Sequence, residues 1–282
     1  MKKVELGLGG GSLLQLANRS ISQMMGYLIE NSEGKLIVID GGNYCREDAE
    51  NLYEQIKARG GAVDMWFLSH AHADHLGAFV YMMERWEEYP MQIGKVCFHF
   101  PSMEWLSDKE DFEVNKQFMN CLKKLSLPVA TVYAGDVFNC GDVSVEVVSH
   151  PVSYENYPQI NPTSVILLVH FPKQDVLFLG DFDVNGQEEF LRLRDVSKIR
   201  KDIVQMAHHG QNGVDQEFYK LISPKICLYP TPQWLWENNN YGSDDPTTVG
   251  KGPFSTLETR KWMEELGVKA SYTQAEGDWL FV

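Results

Sequence analysis

The chain has 282 residues, 44% apolar and 23% charged, and its 39 acidic against 25 basic side chains give a formal charge of −14. This composition is typical of a water-soluble globular enzyme and excludes collagen-like, coiled-coil and disordered chains. The length is ample for a large core, and no linker or repeat divides the sequence. We therefore expect a single domain over residues 1–282.

Apolar runs of strand length alternate with amphipathic segments along the chain, which is typical of a layered α/β architecture with helices outside sheets. Strands are predicted at Met25–Ile29, Lys35–Ile39, Asp64–Leu68, Lys95–Phe100, Val143–Val148, Val165–His170, Val176–Leu179, Ile203–Met206, Ile226–Tyr229 and Asp278–Val282. Helices are predicted at Arg46–Ala58, Leu76–Glu88, Phe112–Leu125, Gly186–Leu193, Asp215–Ile222 and Thr256–Leu266. No apolar run approaches the ~20 residues of a membrane helix, so we expect no membrane partner.

The cysteines and the charge balance indicate a cellular setting and a type of partner. The five cysteines are scattered and never form a C-x-x-C pair, so neither a disulfide framework nor a thiolate zinc site is predicted. A reducing, cytoplasmic location is the simplest interpretation. The acidic balance repels phosphate backbones, and no basic track interrupts it. We therefore expect a small-molecule substrate and regard nucleic acid as a poor default partner.

Five of the eight histidines lie in two short clusters, and the first cluster lies within Ser69–Gly77. It follows a predicted strand and precedes a predicted helix, which is where α/β sheets place their sites. In an extended segment His70 and His72 project to one side and can share one cation. Asp74 and His75 can reach a second cation, because the turn into the helix offsets them. A histidine-rich surface loop is the less favoured alternative.

Three further strand ends carry ligand-type side chains. Asp181 follows Gly180 at the end of an apolar strand and could bridge two cations. His208 and His209 follow another strand; adjacent side chains on an extended loop point apart, and we favour His208 as the metal ligand. His209 would then donate a proton or a hydrogen bond to the substrate. Asp40, after a third strand, is predicted to orient a ligand histidine or bound water.

These motifs resemble the metallo-β-lactamase superfamily, whose mark is a strand-end Asp, H-x-H-x-D-H, a third ligand, a Gly-Asp strand end and a late histidine, in that order. The resemblance runs nearly the whole chain and implies a four-layer αββα sandwich with the metals at one edge of the two sheets. It looks closest to the soluble metallo-hydrolase domain of bacterial DNA-internalisation competence proteins, judging by Leu68-Ser-His70, Asn161-Pro-Thr-Ser164-Val, Leu179-Gly-Asp181 and His208-His-Gly210.

The sequence departs from the superfamily pattern at the third ligand of the first metal. Asn161 stands where a histidine is usual, so it is predicted to lie beside that metal as a weak oxygen ligand or to hold its water. His150, eleven positions earlier, is the rival candidate, although a structural role at a strand end is favoured for it. We therefore expect the first metal to bind loosely and to be lost before the second.

The predicted ligand set favours hydrolysis by a metal-bound hydroxide. Two divalent cations, zinc first with manganese or iron as alternatives, would activate water, and Asp74 and Asp181 would keep it aimed. The expected reaction is hydrolysis of a small phosphodiester or related ester. Alternatives are a nuclease acting on DNA, as in the competence-type relatives, an iron-dependent oxidoreductase on the same scaffold, and a non-catalytic binding module.

Overall fold

The computed structural model describes residues 1–282 and contains two large β-sheets. The strands in chain order are β1 (Lys2–Val4), β2 (Ser12–Gln15), β3 (Gly26–Glu30), β4 (Leu36–Asp40), β5 (Ala62–Val63), β6 (Met65–Phe67), β7 (Gln92–Ile93), β8 (Val96–Phe98), β9 (Val129–Thr131), β10 (Val137–Cys140), β11 (Val143–Ser149), β12 (Ile166–His170), β13 (Asp175–Phe178), β14 (Ile203–Gln205), β15 (Ile226–Tyr229), β16 (Ala270–Thr273) and β17 (Trp279–Phe281). The first sheet has the order β1-β17-β2-β3-β4-β6-β8-β9 and the second β10-β11-β12-β13-β14-β15-β16, while β5 and β7 pair separately.

Eight α-helices accompany the sheets. In chain order they are α1 (Arg46–Ala58), α2 (Ala73–Glu84), α3 (Met103–Leu106), α4 (Phe112–Lys124), α5 (Val184–Leu193), α6 (Gln216–Ile222), α7 (Gln233–Trp236) and α8 (Thr256–Glu265). None of them combines the length and the apolar character that crossing a membrane requires.

Three separate hydrophobic cores define the layers. Along β3, Tyr27 and Ile29 belong to the core between the two sheets, while Leu28 belongs to the core under α1, α2 and α4. This alternation follows from the two-residue period of a strand that is buried on both faces. A third core joins the outer face of the second sheet to α5, α6 and α8, with Phe190 and Phe218 among its members. The layers are therefore helix, sheet, sheet, helix, and the predicted αββα sandwich is confirmed.

Most predicted elements agree with the structure to within one or two residues. The strands that the apolar pattern does not predict are short or lie near sheet edges, as β9 and β10 do, where exposed positions dilute the pattern. Helix α2 begins at Ala73, three residues before its predicted start, with His72 as the residue before it. Asp74 and His75 therefore lie in the first helical turn.

One end of the sandwich collects four loops. Strands β4 and β6 are parallel neighbours in the first sheet, and β13 and β14 are parallel neighbours in the second. Parallel strands that lie side by side end at the same edge, so the loops that follow them are brought together. Asp40 is the last residue of β4, and the loops after β6, β13 and β14 carry the 68–72 segment, Asp181 and the 206–210 segment.

Candidate metal centre

Two buried histidines come from the loop between β6 and α2. His70 and His72 are separated by Ala71, and the Nε2 atom of His70 lies 3.1 Å from the Nδ1 atom of His72. Asn115 of α4 fixes this loop by donating a hydrogen bond to the Ala71 carbonyl, and Asp111 accepts one from the Ala73 N–H. Two imidazole nitrogens are thereby held facing each other at the spacing of neighbouring metal ligands.

A second set of ligand atoms surrounds the first turn of α2. The His75 Nε2 atom lies 3.1 Å from Asp181 Oδ1 and 3.3 Å from the Nε2 atom of His209. The His209 Nε2 atom in turn lies 3.2 Å from Asp74 Oδ2 and 3.4 Å from Asp181 Oδ2. Four side chains from one helical turn and two loops therefore converge, although they are separated by as many as 135 positions in the sequence.

The ligand atoms form two groups that share one carboxylate. Within each group all ligand atoms lie within 4.8 Å of one another. The first group contains His70, His72 and Asp181, and the second contains Asp74, His75, Asp181 and His209. Asp181 belongs to both, which is the arrangement that the sequence predicted for a carboxylate bridging two cations.

Asp40 lies behind His75. It is completely buried, its Oδ2 atom accepts a 2.6 Å hydrogen bond from His75 Nδ1, and its Oδ1 atom accepts one from the Ser69 N–H. The Ser69 hydroxyl also donates to Oδ2. Because Nδ1 of His75 faces Asp40, Nε2 is the ring nitrogen that faces Asp181 and that would bind a cation there. This is the geometry of a carboxylate that orients a ligand histidine, the position predicted for Asp40.

The structure places the adjacent histidines differently from the extended loop that was predicted. His209, and not His208, lies in the second group, because its Nδ1 atom donates to the Pro230 carbonyl at 2.7 Å and turns Nε2 toward Asp74. The prediction assumed an extended loop. Both residues instead have left-handed backbone conformations, with φ of 48° and 56°, so their side chains do not point to opposite sides.

The structure places Asn161 in the metal centre and His150 outside it. Asn161 lies at the centre, where its amide donates to the Nε2 atom of His208 at 3.3 Å. His150 lies away from the centre, where its Nδ1 atom accepts from the Ala134 N–H and its ring stacks on His99. Of the two candidates for the incomplete first group, only Asn161 is within reach of it.

Two contributors were not predicted from the sequence. Gln205, buried in β14, accepts hydrogen bonds from the N–H groups of Leu179 and Gly180 and donates to the Gly180 carbonyl, so it holds the turn that presents Asp181. Glu110 lies 3.3 Å from the Nε2 atom of His72, the ring nitrogen that faces away from His70. Both contacts join residues more than 20 positions apart, and no local pattern marks them.

The electrostatics of the centre favour positive charge. Burial lowers the pKa of His75, but the carboxylates of Asp181 and Asp40 outweigh burial and raise that pKa well above its usual value. Burial likewise lowers the pKa of His209, and Asp181 and Asp74 raise it to about 9. For Asp181, burial raises the pKa, but His75 and His209 hold it well below its usual range. Buried carboxylates of this kind need cations beside them.

The donor set fits divalent metal ions. Imidazole nitrogens and carboxylate oxygens are the ligands that zinc, manganese and iron take in proteins. The side-chain oxygen Asn161 Oδ1 is buried and has no hydrogen-bond donor, and the buried Asp181 Oδ1 has only the His75 ring nitrogen beside it. Such orphaned acceptors are costly unless a cation or water meets them. The residues present could therefore hold two cations, one in each group.

A cleft of about 530 Å³ opens above the two groups. His72, Asp74, Asp181 and His208 form part of its floor. The remaining walls are mainly carboxylate, amide and aromatic side chains, among them Glu110, Asp111, Gln23, Asn43, Gln159, Asn161, Gln211, Tyr241 and Phe254. Lysine and arginine are absent from the lining, so positive charge offered to a substrate would come from the histidines or from cations held by the centre.

The fold and the two ligand groups define a class of protein. Its members are αββα sandwiches with a metal-binding histidine and aspartate cluster at the strand ends. The family pattern described as "Metallo-beta-lactamase superfamily" matches residues 25–226, which is most of the chain and includes every residue of both groups. The protein therefore belongs to the metallo-β-lactamase superfamily. No curated protein was found to match the sequence.

Solved structures share the fold at low sequence identity. The metallo-β-lactamase fold protein YhfI from Bacillus subtilis is 12% identical with a TM-score of 0.57, over 96% of this chain and 99% of YhfI. Unliganded yeast PDE1 is 10% identical with a TM-score of 0.52, over 97% and 100%. CmlA, a diiron β-hydroxylase from Streptomyces venezuelae, is 13% identical with a TM-score of 0.51; the match covers 93% of this chain but only 52% of CmlA.

Proposed function

We propose that the protein is a metal-dependent hydrolase that cleaves a small phosphodiester or a related ester. The observation that carries the proposal is the pair of ligand groups sharing Asp181 at the floor of an open cleft. When bound, two divalent cations would lower the pKa of water and polarise the oxygen of the bond that is broken. Zinc is the first choice for this donor set, with manganese or iron as alternatives.

The chain's own residues hold this chemistry in place. Asp40 keeps the His75 imidazole in one tautomer and one orientation. Gln23 donates a 3.1 Å hydrogen bond to Asp74 Oδ2, which also faces His209. His209, which the sequence predicted as a proton donor, is better suited to be a ligand of the second metal, since it is completely buried below the cleft.

The charge around the cleft supports a small substrate. A nucleic-acid strand needs a row of cationic side chains beside the site. The most basic segments are engaged elsewhere, because Arg194 contacts His150, Lys198 pairs with Glu146 and Lys201 pairs with Asp175. The cleft wall itself offers carboxylates such as Glu110. Metal charge alone can hold one phosphate group but not a polymer.

A nuclease acting on DNA is the second candidate. It is supported by the likeness of the Leu68–His70 and His208–Gly210 motifs to competence proteins. An oxidoreductase is the third, because the diiron β-hydroxylase CmlA shares the fold. Both functions require properties that can be measured. A nuclease must bind a polymer at moderate salt, and the oxidoreductase must hold iron and consume oxygen.

The experiment compares the wild type with two histidine variants. The protein is loaded separately with Zn²⁺, Mn²⁺ and Fe²⁺ and assayed on bis(p-nitrophenyl) phosphate, p-nitrophenyl acetate, a simple lactone, and single- and double-stranded DNA. We expect hydrolysis of a small substrate that His75→Ala abolishes and that His150→Ala, a histidine removed outside the centre, retains. Efficient DNA degradation at moderate salt that is lost in His75→Ala would show that DNA is the substrate. Oxygen consumption by the iron-loaded protein alone would show that the reaction is an oxidation and not a hydrolysis.

A further inference from the structure

The adjacent histidines His208 and His209 both reach the same carboxylate. Their Nε2 atoms lie 3.7 Å and 3.4 Å from Asp181 Oδ2, and their ring centroids are 6.2 Å apart. In an extended strand, neighbouring side chains point to opposite faces and could not do this. The two consecutive left-handed residues turn the chain between them, and the His208 N–H anchors the turn by donating to the Gly180 carbonyl at 3.0 Å.

The ring of His208 is held in the way that ligand histidines are held. Its Nδ1 atom lies 3.2 Å from the Asn212 carbonyl, to which an Nδ1–H donates. The Nε2 atom then carries the lone pair, which accepts from the Asn161 amide at 3.3 Å and which a bound cation would take in place of that amide. A backbone carbonyl or carboxylate behind one ring nitrogen, with the other nitrogen directed into the site, is the usual arrangement of a metal-bound imidazole.

The first group has one ligand fewer than the second. Its members are His70, His72 and the shared Asp181, whereas the second group has Asp74, His75 and His209 beside Asp181. The Oδ2 atom of Asp181 lies 3.9 Å from the Nε2 atom of His70 and 3.7 Å from that of His208. Both imidazoles therefore flank one oxygen. Asn161, whose Oδ1 atom is orphaned, lies next to His208 and not in its place.

We propose that the histidine pair is divided between the two metals: His209 ligates the second metal and His208 is the fourth ligand of the first. The proposal rests on the two-metal centre of the proposed function and deepens it. Each metal then has four protein ligands, with Asp181 counted in both sets, and the histidine that the sequence lacks at position 161 is supplied from position 208. The first metal is accordingly held firmly, in contrast to the loose binding expected from Asn161 alone.

The test is metal counting under buffered free Zn²⁺. Wild type, His208→Ala, His209→Ala and the outside control His150→Ala are equilibrated over a range of free Zn²⁺, separated from unbound metal, and analysed for zinc per chain by mass spectrometry. We expect two zinc ions in the wild type and in the control, and one in His208→Ala. The apparent affinity for the lost ion should fall at least about 100-fold, the upper end of the effect of residues behind the ligands.

Cobalt spectra show which ion is lost. In Co²⁺-loaded protein, His208→Ala and His209→Ala should each remove a different part of the visible absorption of the wild type, because each changes the nitrogen ligands of a different ion. Circular dichroism checks folding, and His208→Gly, which accepts a left-handed backbone, replaces the alanine variant if that one is unfolded. Two tightly bound zinc ions in a folded His208 variant, or none, would overturn the division. A wild type that binds no metal would overturn the two-metal proposal itself.

Discussion

The histidines of the metal centre and the stacked pair of His99 and His150 lie in different electrostatic surroundings. In the metal centre, carboxylates contact His75 and His209 and raise their pKa values. Outside the metal centre, the rings of His99 and His150 stack with centroids 4.7 Å apart, and the Arg194 guanidinium lies beside His150. Burial, His99 and Arg194 lower the pKa of His150 to about 4.

The difference shows that clustering and burial do not by themselves make a histidine a ligand. His150 uses its Nδ1 atom to accept from a backbone N–H, and His99 donates from its Nδ1 atom to the Val132 carbonyl. These are structural hydrogen bonds that tie the segment after β9 to the ends of β8 and β11. Carboxylates behind and between the rings, such as Asp40 and Asp181, distinguish the metal centre.

Removing the shared carboxylate should have the largest effect. In Asp181→Ala both ligand groups lose a member, so we expect neither metal to be retained and activity to fall by at least about 1000-fold, since several kcal/mol of transition-state stabilisation would be lost. Zinc per chain and kcat/KM on the best small substrate are the measurements. Asp175→Ala, which removes an ion-paired carboxylate outside the centre, is the control. Retention of one zinc ion in Asp181→Ala would show that Asp181 is not shared.

Removing the carboxylate behind His75 should have an intermediate effect. In Asp40→Asn the oxygen that accepts from His75 is replaced or made less basic, and we expect the affinity for the second metal to fall about 10- to 100-fold. Competition with a chromophoric chelator measures this change. The matched control is Asp48→Asn, a buried carboxylate that accepts from Ser20 and the Arg19 N–H in another part of the fold. Equal losses in the two variants would mean that Asp40 acts only on folding.

Glu110 should contribute less than Asp40, although it occupies the corresponding place behind His72. Its side chain is 73% exposed, and water competes for such a contact. We expect Glu110→Gln to weaken the first metal by less than about 10-fold, below the range for buried residues behind a ligand. The same chelator competition, with the exposed Glu113→Gln as control, measures it. A loss as large as that of Asp40→Asn would indicate that the 107–111 loop closes over the centre.

The stack of His150 on His99 should change how the free energy of unfolding depends on pH. Because the pKa of folded His150 is lowered from 6.5 to about 4, the unfolded chain binds a proton below pH 6.5 that the folded chain does not bind. The contribution of His150 is therefore fully present above pH 6.5 and is lost as the pH falls toward 4. Thermal melts in excess chelator should show a smaller decrease between pH 7 and pH 5 for His150→Gln than for the wild type. Parallel curves would contradict this assignment.

The sequence predicted those parts of the molecule that depend on local patterns. The apolar runs of the strands and the strand-end positions of Asp40 and Asp181 are visible in the residues themselves, and the family resemblance implied the four layers. The roles of His208 and His209 could not be assigned, because a left-handed backbone is set by contacts of the loop with Gly180 and Pro230. The roles of Gln205 and Glu110 were not predicted for the same reason, since their partners are distant in the chain.

The two left-handed residues also place a limit on stability. Outside glycine, this backbone conformation costs about 1–2 kcal/mol per residue, and His208 and His209 adopt it in succession. A chain optimised only for resistance to heat would carry glycine or asparagine here. Stabilising substitutions at these two positions would remove the imidazoles of the proposed metal ligands, so we expect thermostability and metal binding to oppose each other at this turn.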